Sequence, residues 1–121
     1  MPRSARAQGL SRRHRFTARG SFGPVLRSAR KIRGDAMIVH VLRAPGPTSR
    51  LGIALTRRLV ASSVDRSLVK RALREAFRLH PVKNDGLDCV VALRERFERH
   101  ALAGLRAEAG RLFDRLHAEV R

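Results

Sequence analysis

A chain of 121 residues with 43% hydrophobic side chains can bury one core without a metal or disulfides, which excludes wholesale disorder. Its 27 Lys and Arg against 10 acids leave +17 at neutral pH, a field that weakens the compact state and that a polyanion would relieve. No apolar run is long enough to span a bilayer and no apolar block precedes Asp35 as a signal peptide needs, while the lone Cys89 excludes an internal disulfide and fits a reducing compartment, the cytoplasm by default.

The charge is uneven. Residues 1–64 hold fourteen basic residues and one acid, Asp35, whereas residues 65–121 hold thirteen basic and nine acidic ones. Nucleic acid, bound through counterion release, suits such a surface better than an anionic membrane, because the basic N-terminal stretch has no continuous apolar face. An Arg-rich, acid-free N-terminus also resembles a transit peptide, which ranks below a flexible RNA-binding arm.

In chain order, residues 1–16 read as a basic flexible arm and 17–121 as a single RNA-binding domain. Thr17 and Ser21 are acceptable caps, and Pro24 is tolerated in a first turn, so a short helix is predicted at about 22–30 with Phe22, Val25, Leu26 and Ala29 facing a sheet. Ala36 to Leu42 is a β-branched strand, and 44–49 reads as a turn. Leu51 to Leu55 is a second strand, and 36–57 together are predicted to form a hairpin. Ser62, Ser63 and Asp65 offer caps for a helix to about 79, which Pro81 through Gly86 interrupt. Leu87 to Leu93 reads as another strand, and a last helix from about 98 to 119 carries Leu102, Leu105, Ala109, Leu112 and Leu116 at helical spacing. The fold class is α+β, a small sandwich with helices packed on a sheet.

The helix beginning near Asp65 carries the strongest signal. At about 100° per residue, Lys70, Arg74, Ser67, Arg78 and Arg71 fall within an arc of about 100°, opposite an apolar face. Glu75 borders this strip, with Arg71 as its most plausible partner, and Arg66 falls at the apolar edge. An ordinary solvated face is the commoner reading of one amphipathic helix, but such faces mix signs more freely. Thr56-Arg57-Arg58 adds cations where the second strand ends, and guanidinium forks suit phosphate. Ser67 can bond phosphate or ribose oxygens between them.

Two stretches, Leu51-Gly-Ile-Ala-Leu-Thr-Arg-Arg and Arg66-Ser-Leu-Val-Lys-Arg-Ala-Leu-Arg-Glu-Ala-Phe-Arg, resemble the bacterial ribonuclease P protein component. That family has a strand ending in two basic residues and then a helix of pattern R-N-R-x-K-R-x-x-R-E-x-F-R, matched here by Arg66, Lys70, Arg71, Arg74, Glu75, Phe77 and Arg78. Phe22 with Val25 is similar to the family's F-x-x-V. Ser67 stands where the family has Asn, Leu68 where it has Arg, and Leu26 where it has a second aromatic.

The resemblance implies a sheet of about four strands with a left-handed β-α-β crossover, against the usual handedness. It implies a protein subunit that assists a catalytic RNA in removing the 5′ leader from precursor tRNA, with magnesium held by the RNA and no cofactor bound tightly by the protein. Arg57, Arg58, Arg66, Ser67, Lys70, Arg71, Arg74 and Arg78 would contact RNA, and Phe22 and Leu26 would line a leader cleft. The alternative is a ribosomal protein or general RNA chaperone using the same helix. Oligomeric state is left open.

No zinc-protease helix, metal-ligand spacing, Walker loop or nucleophile elbow is present, so no catalytic residue is expected on this chain. His14, His40, His80, His100 and His117 are scattered; two of them could meet as an acid–base pair, although incidental histidines are commoner. Cys89 and Phe113 read as core, and so, at the edge of its face, does Phe77.

Overall fold

The computed structural model describes residues 30–120. The predicted arm over 1–16, Phe22, Leu26 and the helix at 22–30 lie outside these residues, apart from Arg30, which is not helical. Strands β1 (Lys31–Arg33), β2 (Met37–Arg43), β3 (Arg50–Ala54) and β4 (Leu87–Leu93) form one sheet in the order β1-β2-β4-β3. β2 pairs antiparallel with β1 and with β4, and β3 pairs parallel with β4. Helices α1 (Ser63–Arg78) and α2 (Leu102–Val120) pack on the sheet, and α1 is the crossover that joins the parallel pair.

The hairpin predicted over 36–57 does not form, because β4 lies between β2 and β3. The polar groups of the 44–49 connection are met by the segment that enters β4. Ala44 N–H donates to Gly86 O, Ser49 N–H donates to Lys83 O, and the buried Ser49 hydroxyl donates to Val82 O while accepting from Leu87 N–H. Gly86 sits at φ 70°, and a Cβ there would come 3.0 Å from Gly46 O, so this crossing needs glycine twice over. The hairpin that does form is β1–β2. Lys-Ile-Arg is hard to recognise in the sequence because a single polar-apolar-polar step is too short a run to establish alternation.

Period-two alternation decides which face is buried. Met37, Val39 and Val41 of β2, Leu51 and Ile53 of β3, and Cys89 and Val91 of β4 meet Val69, Leu73 and Phe77 of α1 and Leu105, Ala109, Leu112, Phe113 and Leu116 of α2. Phe77 and Phe113 are both fully buried and pack edge-on, centroids 5.6 Å apart. Burying each such ring stabilises the fold by about 1.5–3 kcal/mol.

Of the three candidate caps, Ser62 is the one used: its Oγ accepts from Val64 N–H at 3.1 Å and Asp65 N–H at 3.3 Å. The break at 81–86 contains a 3₁₀ turn, Pro81–Asn84, capped by His80, and another, Arg99–Ala101, leads into α2. α2 also carries a buried carboxylate. Glu108 accepts from Ala36 N–H and Met37 N–H at 3.0–3.2 Å and so ties the β1–β2 turn beneath the helix. Gly34 permits this, since a Cβ there would fall 2.0 Å from Glu108 Oε2.

Candidate nucleic-acid interface

α1 buries Val69, Ala72, Leu73 and Phe77, which turns its strip of cations outward. Ser67 and Arg71 are exposed, while Lys70, Arg74 and Arg78 are half-buried along the same face. Among the described residues Lys70 and Arg71 have no ion-pair partner and the Ser67 hydroxyl makes no hydrogen bond. Among the described residues their polar groups are thus uncommitted.

Arg66 and Arg78 of the predicted set make bonds within the protein. Arg66 Nη1 donates to Val60 O at 3.0 Å and to Ala61 O at 2.9 Å, holding the approach to the helix. Glu75 pairs with Arg78, one turn onward, and not with Arg71: Arg78 donates through both Nε and Nη2 to its carboxylate. The i,i+3 geometry lets a guanidinium fork close on the carboxylate bidentately. Arg78 holds the Glu75 carboxyl below its usual range, with Arg106 of α2 adding a smaller effect in the same direction, while the pairing raises Arg78. Glu75 thus closes the strip on the α2 side.

Arg57 and Arg58 are exposed in the turn after β3, which is built on Thr56 O accepting from Leu59 N–H and Val60 N–H at 3.2 and 2.9 Å. The turn leads within a few residues to the Ser62 cap, so these cations stand at the start of the strip. α1 is further fixed by an ion pair from Arg99 Nε to Asp65 Oδ1 at 2.7 Å. Helical periodicity cannot reveal that link, because its two ends lie on different elements.

Two of the scattered histidines do meet. The rings of His80 and His117 lie 5.9 Å apart, but each is committed to structure. His80 Nε2 bonds Asp114 at 2.6 Å while its Nδ1 accepts from Val82 N–H, and His117 Nδ1 bonds Asp85 at 2.6 Å. With both nitrogens of His80 engaged, the pair is a tether between the 3₁₀ turn and α2, not an acid–base couple. Cys89 is fully buried and desolvation pushes its thiol up to about 12, so it is packing. Among the described residues no group of three His, Cys, Asp or Glu side chains could hold a metal ion.

The sequence profile described as Ribonuclease P matches residues 10–117. The chain belongs to the ribonuclease P protein family. It is 31% identical over 116 residues to the ribonuclease P protein component of Alcanivorax borkumensis, covering 95% of this chain and 96% of the relative. To that of Thioalkalivibrio sulfidiphilus it is 32% identical over 109 residues, covering 90% and 91%. The fold is similar to that of the ribonuclease P protein from Thermotoga maritima, with a TM-score of 0.69 at 25% identity over 84% of this chain and 96% of that one. The Staphylococcus aureus protein superposes with a TM-score of 0.73 at 20% identity, over 84% and 93%, a likeness of fold alone. As a ribonuclease P protein component, the chain works with the ribonuclease P RNA in the endonuclease that matures the 5′ end of precursor tRNA.

Proposed function

We propose that α1 is the RNA-docking element of this ribonuclease P subunit, with Lys70, Arg71 and Arg74 as its principal phosphate contacts. The observation that carries this is the uncommitted polar face: Lys70 and Arg71 have no ion-pair partner among the described residues, and Ser67 lies between them. Arg57 and Arg58 extend the contact at the start of the helix. Arg66 and Arg78 contribute through the guanidinium nitrogens that their intramolecular bonds leave over. Phe22 and Leu26 line the cleft that receives the leader, and residues 1–16 are a basic arm ahead of one domain over 17–121. Magnesium belongs with the RNA subunit, and the protein works in the cytoplasm; no helix among the described residues is long and apolar enough to cross a membrane.

Cleavage of precursor tRNA by the ribonuclease P RNA, with and without the purified protein at low magnesium, tests the reading. Phosphates neutralised by the strip lower the demand for divalent ions, so the protein restores cleavage there. Equal rates in its presence and absence would overturn the proposal.

A further inference from the structure

Three connections meet where β3 and β4 end, and hydrogen bonds lock them to one another. Phe97 N–H donates to Leu59 O at 2.9 Å, joining the segment after β4 to the Arg57–Arg58 turn. Arg94 N–H donates to Ala36 O at 2.8 Å, and Arg94 Nη1 reaches Gly34 O at 2.7 Å, joining the same segment to the β1–β2 turn. The Arg99–Asp65 pair and the bonds from Arg66 to Val60 O and Ala61 O fix the first turn of α1 to this corner. Phe97 and Val60 anchor it in the core, 8% and 2% exposed.

On this frame Arg96 is exposed and precedes Phe97, whose amide bonds Leu59 O, while Arg58 is exposed and precedes Leu59, so one hydrogen bond ties together the two segments that carry these cations. Among the described residues Arg57, Arg58 and Arg96 have no ion-pair partner. Glu95 and Glu98 flank Arg96, so the local net charge is modest. Attraction here depends on where the guanidiniums are placed and not on bulk field.

We propose that Arg96 is a further RNA-contacting residue, and that the corner bearing Arg57, Arg58 and Arg96 continues the α1 strip around the end of the sheet as one phosphate-binding surface. This rests on the reading of α1 as the RNA-docking element. Its partner is the backbone of structured RNA. Because hydrogen bonds already order the backbone of this segment, contact with a phosphate costs only side-chain freedom, as it does for the cations of α1, and the planar guanidinium fork keeps that loss small for each bond formed.

The test compares Arg96→Gln with Arg115→Gln, which removes the same charge from an exposed site on α2. Binding to the ribonuclease P RNA is measured across a salt series, with thermal melts confirming folding. Arg96→Gln should weaken binding on the order of tenfold and reduce the slope of log affinity against log salt by about 0.7–0.9. Arg115→Gln should leave the slope unchanged, and Arg96→Lys should restore it. Equal behaviour of Arg96→Gln and Arg115→Gln, or no recovery of slope in Arg96→Lys, overturns the assignment. Cleavage assays on the wild-type protein judge the parent reading separately.

Discussion

Replacing Lys70 and Arg71 together by alanine removes two cations of the strip that have no ion-pair partner among the described residues. Folding should be nearly indifferent. Arg71 is exposed and Lys70 half-buried, alanine is the better helix former by a few tenths of a kcal/mol, and surface changes of this kind usually stay within about 0.5 kcal/mol. The melting temperature should therefore move by no more than about 2–4 °C. RNA binding should respond very differently. A hydrogen bond to a charged group is worth about 1.5–3 kcal/mol, so two contacts amount to about 3–6 kcal/mol, or roughly two to four orders of magnitude in affinity. Solvent screening at this surface favours the lower end. Loss of two counterion-releasing contacts should also flatten the salt slope by about 1.4–1.8.

The matched comparison is Arg111→Ala/Arg115→Ala. At about 100° per residue these two fall on the flank of α2 shared with Glu108, away from α1, whereas Arg106 shares the flank of Phe113 and His117 and stands near enough to Glu75 to influence it. Fluorescence anisotropy with labelled ribonuclease P RNA over a salt series reads both pairs. Equal losses in affinity and slope would refute the reasoning, because net charge alone would then explain them.

Glu108→Ala strands the Ala36 and Met37 amides and should cost about 2–3 kcal/mol, since water can still reach the half-buried Ala36. That is a fall of roughly 10–20 °C in melting temperature, which Glu108→Gln should largely recover; an alanine variant as stable as wild type would sink the tether. His40 has its pKa lowered from 6.5 by desolvation first and by Lys31 and Arg33 second. As acidity rises below that value the unfolded chain takes up a proton that the folded chain refuses, so stability should fall with decreasing pH, and His40→Gln should flatten this part of the denaturation profile. A profile unchanged by the substitution would contradict this account. Phe22→Ala should weaken binding of leader-bearing precursor more than binding of mature tRNA, at an unchanged melting temperature. If affinity falls only in step with stability, Phe22 is core.

Patterns confined to one element were legible in the sequence. Ser62 through Arg78 displays its cap, its apolar face and its cationic strip in consecutive residues, because 3.6-residue periodicity is a local property. β2 was legible as a β-branched run for the same reason. What tertiary structure alone decided is every relation between elements. β2 and β3 look like a hairpin because they are adjacent in sequence and joined by turn residues, yet the polar groups of 44–49 find their partners around Val82 to Leu87. β4 is thereby placed between the two strands. Within α1, too, spacing left Glu75 two partners, Arg71 and Arg78, and the folded helix's side-chain geometry chose Arg78. His80 and His117 met, and Glu108 was buried beneath a turn 72 residues away, through packing that no window of sequence contains. Composition and periodicity determine which surface each segment must bury, whereas the partner across each interface is set only when strands, helices and connections satisfy their hydrogen bonds together.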